Sequence, residues 1–298
     1  MMFRPFAQAR NATNPAFCSG RRRDDYRPGC LRNRRGTGIR LCMFRFFLKK
    51  SFYDGWDSMF ILAAFNAALL ALLAVGILIP ARFSTPAIRL MGLLFLCLAS
   101  GIWSSAAVFS FSRIASFRSC SFDDVKTAIR DGLRSGLQFG SMIAAVVATA
   151  TVSLPFYASI GGTMGLFLAG LLFWLLATMV LTMQYFLPIK ALTGAGFIEA
   201  LRLSFFMMMD APLFALALAI DGLICVLLSP LVAFLLPGAA GATLAATEAA
   251  RLRLYKFDWL RQTPGATRQA VPWKTLLTDD VERLGDRRIK DFMFPWKK

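Results

Sequence analysis

One ionisable side chain, Asp221, stands inside a long apolar segment, where a charge is costly and therefore usually functional. It lies about ten residues into a predicted fifth span (211–228), close to the middle of the membrane. A carboxylate at that depth suits solute binding or proton transfer, because transporter sites usually lie near the midplane. A packing contact with Asn66, Arg89 or Gln184 is the competing interpretation.

Two further charged residues, Glu248 and Arg89, are candidates for a binding role. Glu248 lies in the last turn of a predicted sixth span, where Arg251 follows three residues later and would form an interfacial ion pair with it. Arg89 lies just inside the second span, and its side chain either extends to water or forms an anion site facing outside. In a tight hairpin Asp221 and Glu248 differ in depth by about 15 Å, too far for a pair of catalytic carboxylates.

Residues that perform catalysis or bind metals are scarce. The chain has no histidine, and histidine is the commonest general base and metal ligand. None of its six cysteines forms a CxxC pair, and there is no GxSxG motif. The sequence therefore predicts that the protein is not an enzyme and that it has no catalytic residue, no metal site and no cofactor.

The elements that must position these residues are apolar helices. Hydrophobic residues make up 57% of the chain and charged residues 17%, whereas soluble proteins average nearer half and a quarter. The apolar residues form runs of about twenty, the length that crosses a hydrocarbon core of roughly 30 Å. The sequence predicts an all-α integral membrane protein with six transmembrane helices, at about 58–79, 88–111, 140–159, 164–186, 211–228 and 230–250.

The formal net charge of +17 is concentrated at the two ends of the chain. Of the 34 Lys and Arg residues, 13 precede residue 51 and 12 follow residue 250. Basic ends around an apolar middle are typical of insertion topology and contact with anionic lipid, and they argue against nucleic acid as a partner. Arg82 is the only basic residue in the predicted outer loops. Both termini are therefore predicted to be cytoplasmic in a multi-pass protein of the cell (inner) membrane.

A short motif of a small residue, Phe, any residue and an acid precedes the first, third and fifth spans, at 51–54, 121–124 and 196–199. The second copy fits a helix-capping box, Ser121 with Asp124. Apolar residues recur at helical intervals after the second and third copies, at Phe122, Val125, Ile129 and Leu133, and at Phe197, Leu201 and Phe205. These patterns predict amphipathic helices lying at the cytoplasmic interface.

Two local patterns have structural interpretations. Asp210, followed by Ala211 and Pro212, is predicted to cap the start of the fifth span. Small residues at intervals of about four predict that the sixth and fourth spans lie in the interior of the bundle, at Gly238, Ala242, Ala246 and Ala250, and at Gly161, Gly165 and Ala169.

The chain divides by composition into three parts. Residues 1–42 are basic and lack apolar periodicity, so they are predicted to be a disordered leader. The leader is either a basic tail on the lipid surface or, as the composition favours, a stretch upstream of a true start at Met43. Residues 43–260 form the six-helix transmembrane domain. Residues 261–298 form a cytoplasmic tail with a short amphipathic helix that begins at Thr278.

Three segments, 184–190, 196–201 and 248–259, resemble bacterial membrane proteins of the YesL-like type. The likeness extends over about residues 43–260. It implies a bacterial inner-membrane protein that is accessory to carbohydrate uptake, and it supplies no catalytic residues.

Three functions follow as hypotheses. The first is a non-enzymatic accessory of a transport system, with the lipid bilayer and an ABC-type permease or other membrane protein as partners. The second is an autonomous small-solute transporter that uses Asp221 in the membrane interior. An intramembrane enzyme ranks last, because the residues for one are missing.

Overall fold

The computed structural model describes residues 36–83, 85–229, 238–263 and 271–285. The chain divides into two compact units, Met1–Phe46 and Phe47–Lys298. Of the first unit, only the beginning of helix α1 (Gly36–Asp57) is described. Every regular element among the described residues is helical, as the apolar runs predicted. Residues 1–35 of the predicted leader and 286–298 of the tail lie outside the described residues, whereas residues 36–42 belong to α1.

Four helical segments are long and apolar enough to cross a membrane. They are α2 (Met59–Ala81), α3 (Pro86–Ala115), the segment Phe122–Ser159, and α6 (Gly162–Thr193). This confirms a multi-pass helical protein at the positions of the first four predicted spans. The largest difference is in the third segment, which begins at Phe122 instead of at residue 140.

The third of these segments comprises α4 (Phe122–Ala148), a π-helical turn (Thr149–Ser153) and α5 (Leu154–Ser159). The predicted capping box at Ser121 is present. The amphipathic helix expected to lie apart at the interface is instead the beginning of α4, because α4 continues without a break into the apolar segment. Its predicted stripe is largely exposed, with Phe122, Ile129 and Leu133 facing outward.

The next two helices, α7 (Phe197–Asp210) and α8 (Pro212–Leu228), meet at a bend of 102°. Taken as one broken span they would raise the number of candidate spans to five. Ala211 separates them with an extended backbone, and Pro212 begins α8 because its fixed φ suits the first turn. α7 is the separate amphipathic helix that the sequence predicted, and it packs on the bundle through Ala200, Ser204 and Met207. Of the predicted stripe, Phe197 contacts the buried Phe186 ring, whereas Phe205 is exposed.

Helix α9 (Gly238–Gln262) lies at the centre of the bundle, where it packs on α2, α3, α6 and α8. Of the predicted sixth span (230–250), residues 230–237 lie outside the described residues. α9 is not among the candidate spans, because charged residues recur from Glu248 onward. Two short helices follow, α10 (Trp273–Leu276) and α11 (Thr278–Leu284).

The small residues of the two spans behave differently. Of the four predicted in α9, Gly238 and Ala250 are buried, whereas Ala242 and Ala246 are only partly buried. The inaccessible small residues Ala240 and Ala249 lie outside the predicted series.

At the start of α6 only Gly165 is buried, close to the carbonyl oxygen of Tyr157 on α5, whereas Gly161 is exposed. The surrounding side chains are exposed, Leu166 to 67% for example, so the predicted interior position of this end of α6 is wrong. Small residues permit close packing but do not specify a partner.

The closest helix packing joins α3 and α4 through glycines at intervals of four. A Cβ atom on Gly136 would lie 2.7 Å from the Cα of Ile102, and one on Gly101 would lie 2.4 Å from the backbone nitrogen of Gly140. The helix backbones therefore touch where side chains would otherwise separate them. Ser105, on α3, donates a hydrogen bond of 2.8 Å to the carbonyl oxygen of Gly132. The sequence analysis did not identify this series, Gly132, Gly136 and Gly140.

Contacts between helices show how far along α2 and α3 the first turn of α9 lies. The side-chain oxygen of Asn66 accepts a hydrogen bond of 2.9 Å from the backbone nitrogen of Ala240, in the first turn of α9. From Asn66, α2 continues for about 22 Å at 1.5 Å per residue. Arg251 donates a hydrogen bond to the carbonyl oxygen of Ala115, so these two residues lie at a similar depth. Counted along the two helices from that level, the start of α3 lies about 27 Å further from Ala115 than Ala240 does. α9 therefore begins inside the bundle, well short of the loop that joins α2 and α3.

Candidate functional site

Asp221 and Arg89 lie in different surroundings. Asp221 is half-buried on α8, and its carboxylate forms no hydrogen bond or ion pair with any residue in the described ranges. Arg89 is exposed, and its Nε donates a hydrogen bond of 3.1 Å to the carbonyl oxygen of Phe83 in the α2–α3 loop. The structure does not bring Arg89 to Asp221, so the predicted pairing of the two is wrong.

The other partners predicted for Asp221 contact backbone groups of neighbouring helices. Asn66 caps the start of α9, as described above. Gln184, on α6, donates a hydrogen bond of 3.0 Å to the carbonyl oxygen of Ala215 on α8. Because each amide links one helix to the backbone of another, these side chains stabilise helix packing.

Glu248 belongs to a buried charge cluster that the sequence analysis missed. Its Oε1 lies 3.4 Å from the Nζ of Lys50, and the same ammonium group binds the carboxylate of Asp54. All three side chains are at least 90% buried, so the ion pairs are protected from solvent screening. The Lys50 ammonium also lies 4.2 Å from the centre of the Phe117 ring. The predicted ion pair of Glu248 with Arg251 is therefore replaced by a pair with α1.

Arg251 joins α9 to the tail helix. One of its nitrogens lies 3.1 Å from Oδ1 of Asp280 on α11, and it also donates to the hydroxyl of Tyr255. Burial raises the pKa of the Tyr255 phenol, while the nearby Arg251 guanidinium opposes that shift. The predicted tail helix thus packs on the bundle through a buried ion pair, and its described part ends at Leu284.

A third cluster braces the bend between α7 and α8. The carboxylate of Asp210 lies 2.6 Å from the Nζ of Lys256 and 3.2 Å from Nη1 of Arg253. Nη2 of Arg253 also donates to the carbonyl oxygen of Met207, at 3.4 Å. The predicted role of Asp210 as the N-cap of the fifth span is wrong, because Asp210 ends α7 and its side chain points to α9.

These three clusters share the same half of α9, and we call them the α9 charge clusters. Glu248, Arg251, Arg253 and Lys256 connect this helix to α1, α11 and the α7–α8 bend. Each of these charges has an opposite charge beside it, so the arrangement holds helices together. Among the described residues no three His, Cys, Asp or Glu side chains meet in a way that could hold a metal ion.

A sequence signal existed for part of this arrangement. Lys50 and Asp54 lie four residues apart, the spacing of a helical ion pair, immediately before the first span. The charge of Lys50 alone predicted only that this end of the first span faces the cytoplasm. Nothing local to Glu248 indicates that its partner lies 198 residues away.

No protein-family profile, curated protein or solved structure matches this chain. The resemblance to the YesL-like family therefore stays a prediction.

Proposed function

We propose that this protein is a non-enzymatic, multi-pass protein of the bacterial inner membrane that is accessory to a transport system, with an ABC-type permease as its partner and carbohydrate as the solute class. The supporting observation is the braced position of α7. This helix leaves α8 at 102°, and the buried pairs of Asp210 with Arg253 and Lys256 stabilise the bend.

The braced helix presents an apolar surface outward. Ile198 is 78% exposed, and Phe205 and Met209 are exposed on the same side, with Arg202 between them. An amphipathic helix that is held rigidly and exposes an apolar stripe is a common docking element for another protein. The carbohydrate class rests on the resemblance to YesL-like proteins alone.

An autonomous small-solute transporter is the alternative, and one observation favours it. The Asp221 carboxylate is half-buried in an apolar helix and has no hydrogen-bonding or charged partner among the described residues. A group in that state is available to a solute or a proton.

The accessory role is tested by tagging the protein, extracting it in nanodiscs and measuring stoichiometric permease or ATPase subunits that co-purify. We expect the double variant Ile198→Ser/Phe205→Ser to lose at least ~90% of the bound permease, because a few residues buried at the centre of an interface contribute most of its binding free energy. Phe122→Ser is the matched control, since Phe122 is equally exposed on α4. A solitary wild-type protein would contradict the accessory role.

The same preparation distinguishes the alternative. If the protein transports by itself, reconstituted Asp221→Asn should lose solute flux in the absence of any permease. If it is an accessory, this variant should retain permease binding and uptake at wild-type levels.

The topology within this proposal is four crossings, with α8 and α9 entering the membrane from the cytoplasmic side, in place of the six predicted crossings. Gln184 lies level with Ala215, and from there α6 continues for about 33 Å while α8 continues for only about 20 Å. Together with the early start of α9, this supports helices α8 and α9 that each cover only part of the membrane thickness within the described residues. Four crossings, like six, leave α1 and α11 on the cytoplasmic side.

Cysteine labelling from outside tests this topology in a variant that lacks the natural cysteines. We expect Thr163→Cys, in the exposed first turn of α6, to react with a membrane-impermeant maleimide. Leu228→Cys, at the exposed end of α8, should react at least ~10-fold more slowly, because water is scarce in the hydrocarbon region. Equal labelling of the two variants would support six crossings.

A further inference from the structure

A pair of neighbouring cations lies between α4 and α6 without a carboxylate to neutralise it. Nζ of Lys190, on α6, donates a hydrogen bond of 2.5 Å to Oε1 of Gln138 on α4. This bond brings the Lys190 ammonium to the part of α4 where Arg134 lies, one turn before Gln138, and the Arg134 guanidinium has the same sign of charge. Neither cation forms an ion pair with a carboxylate in the described ranges. Two like charges held together in this way predict an anion between or beside them.

The two cations lie at a similar depth. Along its own continuous helix, Arg134 is about 37 Å from Ser159, and Lys190 is about 42 Å from Gly162. Because the hydrocarbon core is about 30 Å thick, both side chains reach the headgroup layer on the side opposite the α5–α6 loop. That is the cytoplasmic side in the topology proposed above.

The surroundings combine hydrogen-bond donors with apolar surface. The Lys190 ammonium keeps two protons beyond the one it gives to Gln138, and the exposed Arg134 guanidinium offers a planar set of donors. Leu133 and Leu137 flank Arg134 on α4 and are 45% and 44% exposed. Phe186, beneath the Lys190 ammonium at 5.5 Å, stacks on Phe139. A phosphate group with attached acyl chains matches both features.

We propose that Arg134, Gln138 and Lys190 form a binding site for a phosphate group, supplied by an anionic phospholipid of the inner leaflet. Arg134 and Lys190 bind the phosphate oxygens, Gln138 holds Lys190 in place, and the acyl chains lie over the exposed leucines of α4. The site is independent of the α9 charge clusters and of the docking helix α7.

Native mass spectrometry of the full chain, purified in detergent and titrated with phosphatidylglycerol or phosphatidylcholine, tests the site. We expect the wild type to bind phosphatidylglycerol in preference to phosphatidylcholine. Arg134→Gln should weaken phosphatidylglycerol binding about fivefold, and Arg134→Gln/Lys190→Gln about 25-fold, since each cation near a membrane surface contributes about that factor. The matched control is Arg118→Gln/Lys126→Gln, which removes two exposed cations elsewhere and should bind as the wild type does.

Equal weakening in the control double variant would overturn the proposal, because it would indicate a general charge effect. Equal binding by all variants would overturn it as well. Arg134 is exposed, so Arg134→Gln alone gives a result even if the double variant does not fold. A parallel thermal-shift titration with inorganic phosphate separates the two sources of the ligand. Stabilisation by phosphate alone that Arg134→Gln removes would support the site and assign it to a soluble phosphoryl compound.

Discussion

Replacing Gly136 with leucine is expected to prevent the helix bundle from forming. The added Cβ alone would lie 2.7 Å from the Cα of Ile102 and 3.1 Å from the carbonyl oxygen of Gly101. Both obstacles are backbone atoms, so no side chain can rotate away and α3 and α4 must separate. Overpacking a core normally costs about 1–3 kcal/mol; separating two helices along their whole contact should cost more and also break the bond of Ser105 to Gly132.

The measurement is the yield and melting temperature of detergent-extracted protein, followed by fluorescence-detected size exclusion. Gly170→Leu is the matched control, because Gly170 lies in a candidate span and a Cβ there meets nothing within 4 Å. We expect the Gly170 variant to elute as a single peak like the wild type, and the Gly136 variant to aggregate. Wild-type melting of Gly136→Leu would show that the two helices do not touch at this point.

Replacing Asp210 with alanine is expected to destabilise the protein by about 3–5 kcal/mol, the cost of removing one partner from a buried ion pair. The change leaves Arg253 and Lys256 buried without their carboxylate, and their side chains are only 4% and 10% exposed. Because the same carboxylate braces the bend between α7 and α8, α7 should also detach from the bundle.

Thermal unfolding measures the stability, and limited trypsin digestion measures the detachment through cleavage after Arg202 on α7. Arg113→Gln is the control, since it breaks the more exposed pair of Arg113 with Asp124. Such surface pairs contribute about 0–1 kcal/mol, so this variant should melt near the wild type. Similar effects of the two substitutions would mean that the Asp210 cluster is solvated and does not brace the bend.

Features that depend on neighbouring residues were predictable from the sequence. The apolar runs predicted where the four candidate spans lie, because the length of an apolar helix follows from the thickness of the membrane, but they did not predict that the third begins as early as Phe122. The capping box at Ser121 was predicted as well, since both of its groups lie within one helical turn. The glycines at 132, 136 and 140 have the same four-residue spacing as the small residues of α9 and α6. The sequence did not predict their packing, because the series begins in a polar part of α4.

The amino-acid sequence by itself determined that this is a helical, multi-pass membrane protein without a histidine. Only the tertiary structure decided which charges meet. Glu248 pairs with Lys50 across 198 positions, and Asp210 with Lys256 across 46. In both cases the sequence analysis had assigned a nearer group, Arg251 for Glu248 and the start of the fifth span for Asp210. Local sequence patterns predict contacts within a helical turn. A buried charge instead pairs with the opposite charge that helix packing brings to it, because leaving it unpaired in an apolar interior costs roughly several kcal/mol.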